Sequence, residues 1–439
     1  MAASREPPRH PGPLDLAAVR ADPLAFLTES VARYGEVFRY RLGGLEAVAL
    51  AHPDALRHVL AINPDNYCKL GTPDLMLLRP MLGDGLMTAD GEPWQRQRRL
   101  LMPAFSRRYL EHYVAAMAAE TESLLSRWEA CAGGTVDLVP ELGGLALRIV
   151  ARCLFATDLG CDVAAFSAAF AEMSDSLAHF DPSDGSAIPR FRRAASSLDG
   201  VVLRLIAAGR VRGGDDSDLL ALLLTVRDAE TGAPLDDRRL RDQIVTFLVG
   251  GGETTGQAVG WTLYLLDCHP EVRERVAEEA AMVLGAAAVD LGSIGRLEQT
   301  WMAIQESMRL YPPVWLMSRV AQAEDVVAGW RVDGGSLVVM SPFMVHRHPA
   351  FWDEPERFRP ERFKPGAIDE QTRRAFLAFS DGPRLCIGKA FATLETKLVV
   401  ASILLRFRPR LLPGHPVEPE GTVVTLRPRH GLPVVLEPR

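Results

Sequence analysis

The chain has 439 residues, 48% of them hydrophobic and 24% charged, with a formal net charge of −7. These are globular values with ample material for a large core, so a chain disordered as a whole is excluded, and the acidic balance argues against a nucleic-acid footprint. Six cysteines (Cys68, Cys131, Cys153, Cys161, Cys268 and Cys386) lie scattered without C-x-x-C spacing, which fits a reducing cytosol rather than a disulfide framework. Residues 1–13 are Pro-rich, polar and basic, and the chain has no run of about 20 apolar residues that could cross a bilayer. The expectation is a soluble, cytoplasmic protein with a mobile arm over residues 1–14 and a single domain over 15–439.

Asp22 before Pro23 marks a helix start, and the spacing predicts a helix over 23–34. Alternating apolar residues on either side of Gly43-Gly44 predict a hairpin with strands over 37–42 and 47–51. A short helix follows over 53–60. Residues 66–91 are rich in Gly, Pro and Leu without a clear period and are expected to form a long loop, of a kind that usually carries function or moves. Over 93–99 the order Pro-Trp-Gln-Arg-Gln-Arg-Arg places Trp94 and Arg98 four apart on one helix face, where both can point at one anion. A solvated basic helix with an interfacial Trp has the same pattern. Arg96 and Arg99 face elsewhere and suit the docking of an acidic protein partner.

Residues 109–224 are largely helical in pattern, in Ala- and Leu-rich blocks broken at Gly133-Gly134, at 181–189 and at Gly213-Gly214. The break over 179–192 holds Phe180 and Phe191 and suits either a lid or a plain surface loop. One long helix is expected over 241–267, about 40 Å at about 1.5 Å per residue. Gly250, Gly251 and Gly252 stand in its interior, each costing about 1 kcal/mol relative to Ala, and such a penalty needs a packing or a ligand reason. Glu253, Thr254 and Thr255 follow directly.

Another helix is expected over 269–283, and on a later one Glu306 and Arg309 sit at i and i+3, close enough to pair. After Tyr311-Pro312-Pro313 the chain leaves the helix and runs extended over 314–320. Two tandem Pro-Glu-Arg-Phe segments occupy 355–358 and 360–363. Short strands are expected through 339 and finally over 422–426 and 432–436. The whole reads as mainly α with a smaller β-rich part, an α+β fold.

The stretch from Phe379 to Ala392 carries the chemistry. Cys386 follows a Gly-Pro turn and precedes a helix start, where free N–H groups and the positive end of the dipole favour a thiolate. Without a nearby Cys or His it cannot build a four-ligand zinc site, yet one thiolate can hold the axial position of a haem iron. A lone cysteine is by itself more often a buried apolar residue.

The order Phe-x-x-Gly-x-Arg-x-Cys-x-Gly, matched by Phe379, Gly382, Arg384, Cys386 and Gly388, resembles the haem-ligand loop of the cytochrome P450 family. Gly250, Gly251, Glu253 and Thr254 resemble that family's oxygen-activation segment. Glu306 and Arg309 resemble its Glu-x-x-Arg pair, and Phe-x-Pro-Glu-Arg-Phe resembles the segment that completes a buried salt-bridge network, here through Arg362 with Arg357 as the alternate. The resemblance covers nearly the whole chain from Pro23, with its specific motifs confined to these short windows and to Trp94-x-x-x-Arg98.

The resemblance implies the P450 fold, with haem b (iron protoporphyrin IX) between the long central helix and the Cys-ligand loop. Cys386 is then the iron ligand, and Trp94, Arg98, Arg319 and Arg384 supply counter-charge and hydrogen bonds to the propionates. Phe379, Gly382, Gly388 and Gly251 belong to the cofactor's surroundings. Thr254 and Glu253 are the implied catalytic pair, Thr254 donating to bound dioxygen and Glu253 relaying protons from solvent. The implied activity is a monooxygenase that inserts one atom of O2 into a C–H or C=C bond of an apolar small molecule, a lipid, terpenoid or polyketide-like compound of secondary metabolism. Electrons come from NAD(P)H through a separate ferredoxin- or flavodoxin-type donor. Leu86, Phe247, Val314, Leu316, Met317 and Val424 are the implied pocket wall, and a monomer of the soluble bacterial type is expected. Two further readings stay open: a haem-thiolate enzyme that uses peroxide or rearranges an oxygenated substrate without external electrons, and a haem sensor or carrier without turnover.

Overall fold

The computed structural model describes residues 5–12, 14, 19, 21–42, 45–131, 133–178, 186–212, 218–227, 234–285 and 289–439. Helix α1 (Pro23–Tyr34) leads into strands β1 (Val37–Leu42) and β2 (Leu45–Leu50), then α2 (Pro53–Arg57) and β3 (Tyr67–Cys68). Helices α3 (Pro73–Leu82), α4 (Gly91–Leu101) and α5 (Arg107–Glu129) follow. Strand β4 (Thr135–Asp137) precedes α6 (Leu138–Phe155), α7 (Asp162–Ala178), α8 (Ala187–Arg212) and α9 (Leu219–Thr225). The long α10 (Asp237–Cys268) is followed by α11 (Pro270–Leu284), α12 (Leu291–Gly295) and α13 (Glu298–Leu310). Next come β5 (Met317–Ala321), β6 (Asp325–Val327), β7 (Trp330–Val332), β8 (Leu337–Met340), α14 (Pro342–Val345), α15 (Glu370–Arg374) and α16 (Lys389–Arg406). Strands β9 (Phe407–Leu411), β10 (Pro419–Gly421), β11 (Leu426–Pro428) and β12 (Pro433–Pro438) close the chain.

Two compact units result, a β-rich one of Met1–Met76, Gln305–Cys386 and Glu418–Arg429, and a helical one of Leu77–Ile304, Ile387–Val417 and His430–Arg439. The β-rich unit is built on a five-stranded sheet of order β1-β2-β8-β5-β3, in which β2 and β8 run parallel and the other neighbours antiparallel. Period-2 alternation puts Phe38 and Tyr40 of β1 on one face with Ala47 and Ala49 of β2 and Leu337 and Val339 of β8, all buried. Asp22 caps α1 by accepting from the Ala25 N–H at 2.9 Å, and Leu24 and Leu27 of that helix are buried with Trp315, Phe343 and Leu426. Residues 5–10 of the N-terminal arm lie along this unit: the Arg39 N–H donates to Pro8 O (2.7 Å), His10 N–H to Arg39 O (2.8 Å) and Arg331 N–H to Arg5 O (2.9 Å). After α2, residues His58–Ile62 wind as a π-helical turn closed by the Asn63 N–H on His58 O at 2.8 Å.

In the helical unit α10 is buried along most of its length and packs on α6, and β12 pairs antiparallel with both β4 and β9. The Asp236 carboxylate starts α10 by accepting from the Arg239 N–H at 2.8 Å. Among the described residues no helix is long and apolar enough to cross a membrane.

Three expectations are corrected. Residues 66–91 are not one loop, because β3 and α3 lie within them; Pro80 inside α3 and an apolar run without a 3.6-residue period hid that helix. Of the break over 179–192, residues 179–185 lie outside the described residues, whereas Phe191 and Arg192 belong to α8. Residues 422–425 form the turn between β10 and β11 rather than a strand, since the Thr422 hydroxyl accepts from the Val424 and Thr425 N–H groups and bends the backbone.

Candidate active site

In the β-rich unit the approach to Cys386 is a series of tight turns. The Ser380 N–H donates to Leu377 O (2.9 Å), Leu385 N–H to Gly382 O (3.0 Å) and Cys386 N–H to Phe379 O (3.0 Å). Pro383 pre-sets the short 3-10 turn Gly382–Arg384. Ser380 (φ 64°) and Gly382 (φ 66°) are both left-handed, which costs a non-glycine residue about 1–2 kcal/mol. Gly382 is required for a second reason. A Cβ there would lie 2.0 Å from Leu60 O and 2.9 Å from Ala61 Cα, so the loop rests directly on the π-helical turn. The Cys386 side chain is exposed, and Phe379 and Arg384 are half-buried.

A buried ion network stands behind this loop. Glu306 and Arg309, one turn apart on α13 and fully buried, pair bidentately at 2.8 and 2.9 Å. Glu306 Oε1 also accepts from Arg362 Nε (2.9 Å) and from the Arg359 backbone N–H (2.8 Å). Thus Arg362 is the second guanidinium; Arg357 is exposed and pairs with Glu354, contributing only its carbonyl to Arg309 and Arg362. Two guanidiniums against one carboxylate leave positive charge to be solvated, and carbonyls do so: Arg309 donates to His346 O and Pro355 O, Arg362 to Asp353 O and Glu354 O. His346 joins the network to the loop. It is fully buried, stacked on Phe376, and its Nε2 accepts the Leu377 N–H at 2.8 Å while Nδ1 faces Arg309 O at 3.2 Å. Those partners require the neutral Nδ1–H tautomer, and burial beside Arg309 and Arg347 lowers the imidazole pKa to about 3.

Arg319 on β5 is buried and donates to Ser318 O at 2.7 Å, while the Ser318 hydroxyl bonds Asp74. Of the expected pocket residues in this unit, Val314 is 37% exposed, Met317 begins β5 and Val424 lies in the β10–β11 turn. Leu316 is partly buried and packs against the clusters around Phe38 and Trp315.

In the helical unit Trp94 and Arg98 lie on one face of α4, with the Arg98 guanidinium 5.8 Å from the Trp94 ring centroid. On α10 the Thr254 hydroxyl donates to Gly250 O at 2.6 Å, and Gln257 donates to Glu253 Oε1 at 3.3 Å. The glycines divide their labour. A Cβ on Gly251 would meet Val150 Cγ2 at 2.6 Å and one on Gly252 would meet Leu147 at 3.4 Å, so both serve the packing of α10 on α6. Gly251, expected beside the cofactor, is therefore a packing residue. Gly250 is turned instead toward Met87, whose methyl lies 3.3 Å from the position of an added Cβ. Leu86 is buried with its N–H on Gln243 Oε1 at 3.2 Å, and buried Phe247 lies against the Phe105 ring. Gly388 caps the start of α16, and its carbonyl accepts from the Ala392 N–H at 2.8 Å.

One titratable group of α16 gave no signal in the sequence. Glu395 is fully buried, both of its carboxylate oxygens lack a hydrogen-bond partner, and it lies against Thr255 and Gly256 of α10 and Leu142 and Ala146 of α6. Burial pushes its pKa well above the ordinary carboxylate range, favouring the neutral acid. His346 was likewise unmarked, because its partners are backbone atoms remote in sequence.

The donor set limits what metal this protein can hold. Among the described residues no group of three or more His, Cys, Asp or Glu side chains could bind a metal ion. A metal on the exposed Cys386 thiol must bring its remaining ligands with it, as a porphyrin does for iron, so the residues present fit haem.

Comparison with known proteins agrees with that chemistry. The sequence model of the cytochrome P450 family matches residues 6–433. The chain is 36% identical over 405 residues to cyclooctat-9-en-7-ol 5-monooxygenase of Streptomyces melanosporofaciens, covering 89% of this chain and 86% of the relative. It is 34% identical over 415 residues to pentalenene oxygenase of Streptomyces avermitilis (93% and 91% covered) and 32% identical over 444 residues to cyclooctatin synthase of S. melanosporofaciens (98% and 95%). The crystal structure of the cytochrome P450DA haem domain superposes with a TM-score of 0.89 at 26% identity, covering 100% of this chain and 98% of that one. A thiol-bearing loop braced by a buried Glu-Arg-Arg network, a fold shared along the whole chain and relatives named as oxygenases lead to one conclusion: the chain belongs to the cytochrome P450 family and is a haem-dependent monooxygenase.

Proposed function

We propose that this monooxygenase inserts one oxygen atom into a C–H or C=C bond of a terpenoid-class small molecule, with electrons from NAD(P)H passed by a separate ferredoxin- or flavodoxin-type protein. The names of the three Streptomyces relatives support the substrate class. When bound and reduced, haem supplies the binding and cleavage of O2. In this reading the Cys386 thiolate holds the iron, and Trp94, Arg98, Arg319 and Arg384 bind the propionates. Leu86, Phe247, Val314, Met317 and Val424 exclude water from the apolar substrate.

The observation that carries oxygen chemistry is the Thr254–Gly250 bond. The Thr254 proton is parked on a backbone carbonyl at 2.6 Å, beside Gly250, which leaves the helix surface without a side chain. Rotating that hydroxyl away costs about 1 kcal/mol, little enough for it to donate to a reacting atom during turnover. Glu253, adjacent in sequence and half-buried with Gln257 as its partner, returns the proton from solvent.

The test combines binding and turnover. Terpene hydrocarbons and alcohols are screened for displacement of the haem spectrum, and hits are turned over with NADPH, a surrogate ferredoxin and its reductase. Thr254→Ala is expected to keep NADPH consumption while product falls about 10-fold or more. Equal product yield from Thr254→Ala, or turnover supported only by peroxide, refutes the reading.

A further inference from the structure

We propose that Asp325 is a positioning residue for the Cys386 thiolate, acting by clamping both ends of the π-helical turn on which the cysteine loop rests. This inference depends on Cys386 being the haem ligand.

Asp325 opens β6, far in sequence from either the turn or the cysteine. Its Oδ1 accepts from the Val326 N–H at 2.7 Å. Its Oδ2 collects three side-chain donors: His58 Nε2 at 2.8 Å, Asn63 Nδ2 at 3.0 Å and the Tyr67 hydroxyl at 2.8 Å. His58 is the first residue of the π-helical turn and Asn63 the residue that closes it. A π turn is a rare, weakly favoured winding of the chain, and one left to itself relaxes to α-helical register. Here a single carboxylate oxygen ties its start to its end, so relaxation would break charge-assisted bonds at both.

The turn's position matters because of what touches it. Gly382 packs on the Leu60 carbonyl and Ala61 Cα so closely that no β-carbon fits. From Gly382 the chain is rigid to the cysteine: Pro383 fixes one φ, the Leu385 N–H bonds Gly382 O, and the Cys386 N–H bonds Phe379 O. Moving Leu60 and Ala61 therefore removes the seat that holds Gly382, and the Sγ of Cys386 moves with it. A further support of the loop, His346 on the Leu377 N–H, lies nine residues before the cysteine.

The experiment uses holoprotein carrying Asp325→Asn, whose amide keeps one acceptor oxygen but replaces the other by an NH2 donor among groups that themselves donate, and the milder Tyr67→Phe. The readouts are the absorption of the reduced carbon monoxide complex, the haem reduction potential, and thermal unfolding followed by circular dichroism. For Asp325→Asn the expected result is about tenfold more of the short-wavelength band of a haem that has lost its thiolate, the change produced by losing about one charge-assisted hydrogen bond. The reduction potential shifts in step, at temperatures where the fold is intact. Tyr67→Phe shows the same changes to a lesser degree. An Asp325→Asn protein that melts earlier but keeps the parent's band and potential overturns the proposal. If Asp325→Asn does not accumulate, unchanged band and potential in Tyr67→Phe overturn it equally. Absence of the red-shifted thiolate band from the unsubstituted protein would instead refute Cys386 as ligand.

Discussion

Replacing Glu395 by Gln should stabilise the protein at neutral pH, by an amount that grows with pH. The carboxyl is fully buried on α16 with neither oxygen hydrogen-bonded, and burial holds its pKa well above normal. In the unfolded chain the same group ionises near pH 4.3. Above that pH the folded state holds a proton that the unfolded state has released, so stability falls as pH rises, by about 1.4 kcal/mol per pH unit while the folded group stays neutral. Gln has nearly the same shape and does not titrate, so below about pH 4.3 the two proteins should be equally stable. Urea unfolding of parent and Glu395→Gln across this range, taken as a difference at each pH, cancels the other titrating groups. A difference that stays flat from pH 5 to pH 7 would mean that Glu395 ionises within the fold, and the account of its surroundings would be wrong.

His346 predicts the opposite slope. Its folded pKa of about 3 lies below the ordinary 6.5, so its contribution is full above pH 6.5 and is lost as pH falls toward 3; His346→Asn should flatten the acid limb of a pH–stability curve. Arg362→Ala leaves the fully buried Glu306 with one guanidinium and should cost about 3–5 kcal/mol, whereas Arg357→Ala, at an exposed pair, should stay within about 0.5 kcal/mol; thermal unfolding and haem content of the two proteins decide this. Gly256→Ala would drive a methyl to 2.9 Å from the Gly143 backbone and should cost about 1–3 kcal/mol, while Gly260→Ala, with its nearest neighbour at 3.7 Å, should be tolerated by the same measurement.

What could be read from the sequence was local. The Glu-x-x-Arg pair, the Trp94–Arg98 face and the Gly-Pro turn before Cys386 are spacings of a few residues, and backbone geometry turns each into a contact. The choice of Arg362 over Arg357 also follows from a local order, Phe-x-Pro-Glu-Arg-Phe, and in the structure Arg362 is the one bonded to Glu306. What could not be read depends on distant chain. Asp325 and His58 are 267 residues apart. The packing role of Gly251 is set by Val150, and nothing in a Gly-Gly-Gly run says which glycine faces a neighbouring helix. Helix α3 escaped because its apolar residues share no stripe and a proline stands inside it. Glu395 looked like any polar residue of a helix face, and only α6 and α10 make it a buried acid.

The N-terminal segment also bears on how the protein is handled. Strand β1 is the border of the five-stranded sheet, and the bonds from Arg39 to Pro8 and from His10 to Arg39 satisfy the outward N–H and C=O of Arg39. A chain trimmed after residue 12 would leave that border as bare N–H and C=O groups, a template for other chains to pair with. Shortening this polar, proline-rich beginning to tidy the protein for crystallisation would invite aggregation, whereas a tag joined ahead of Arg5 would leave the border covered.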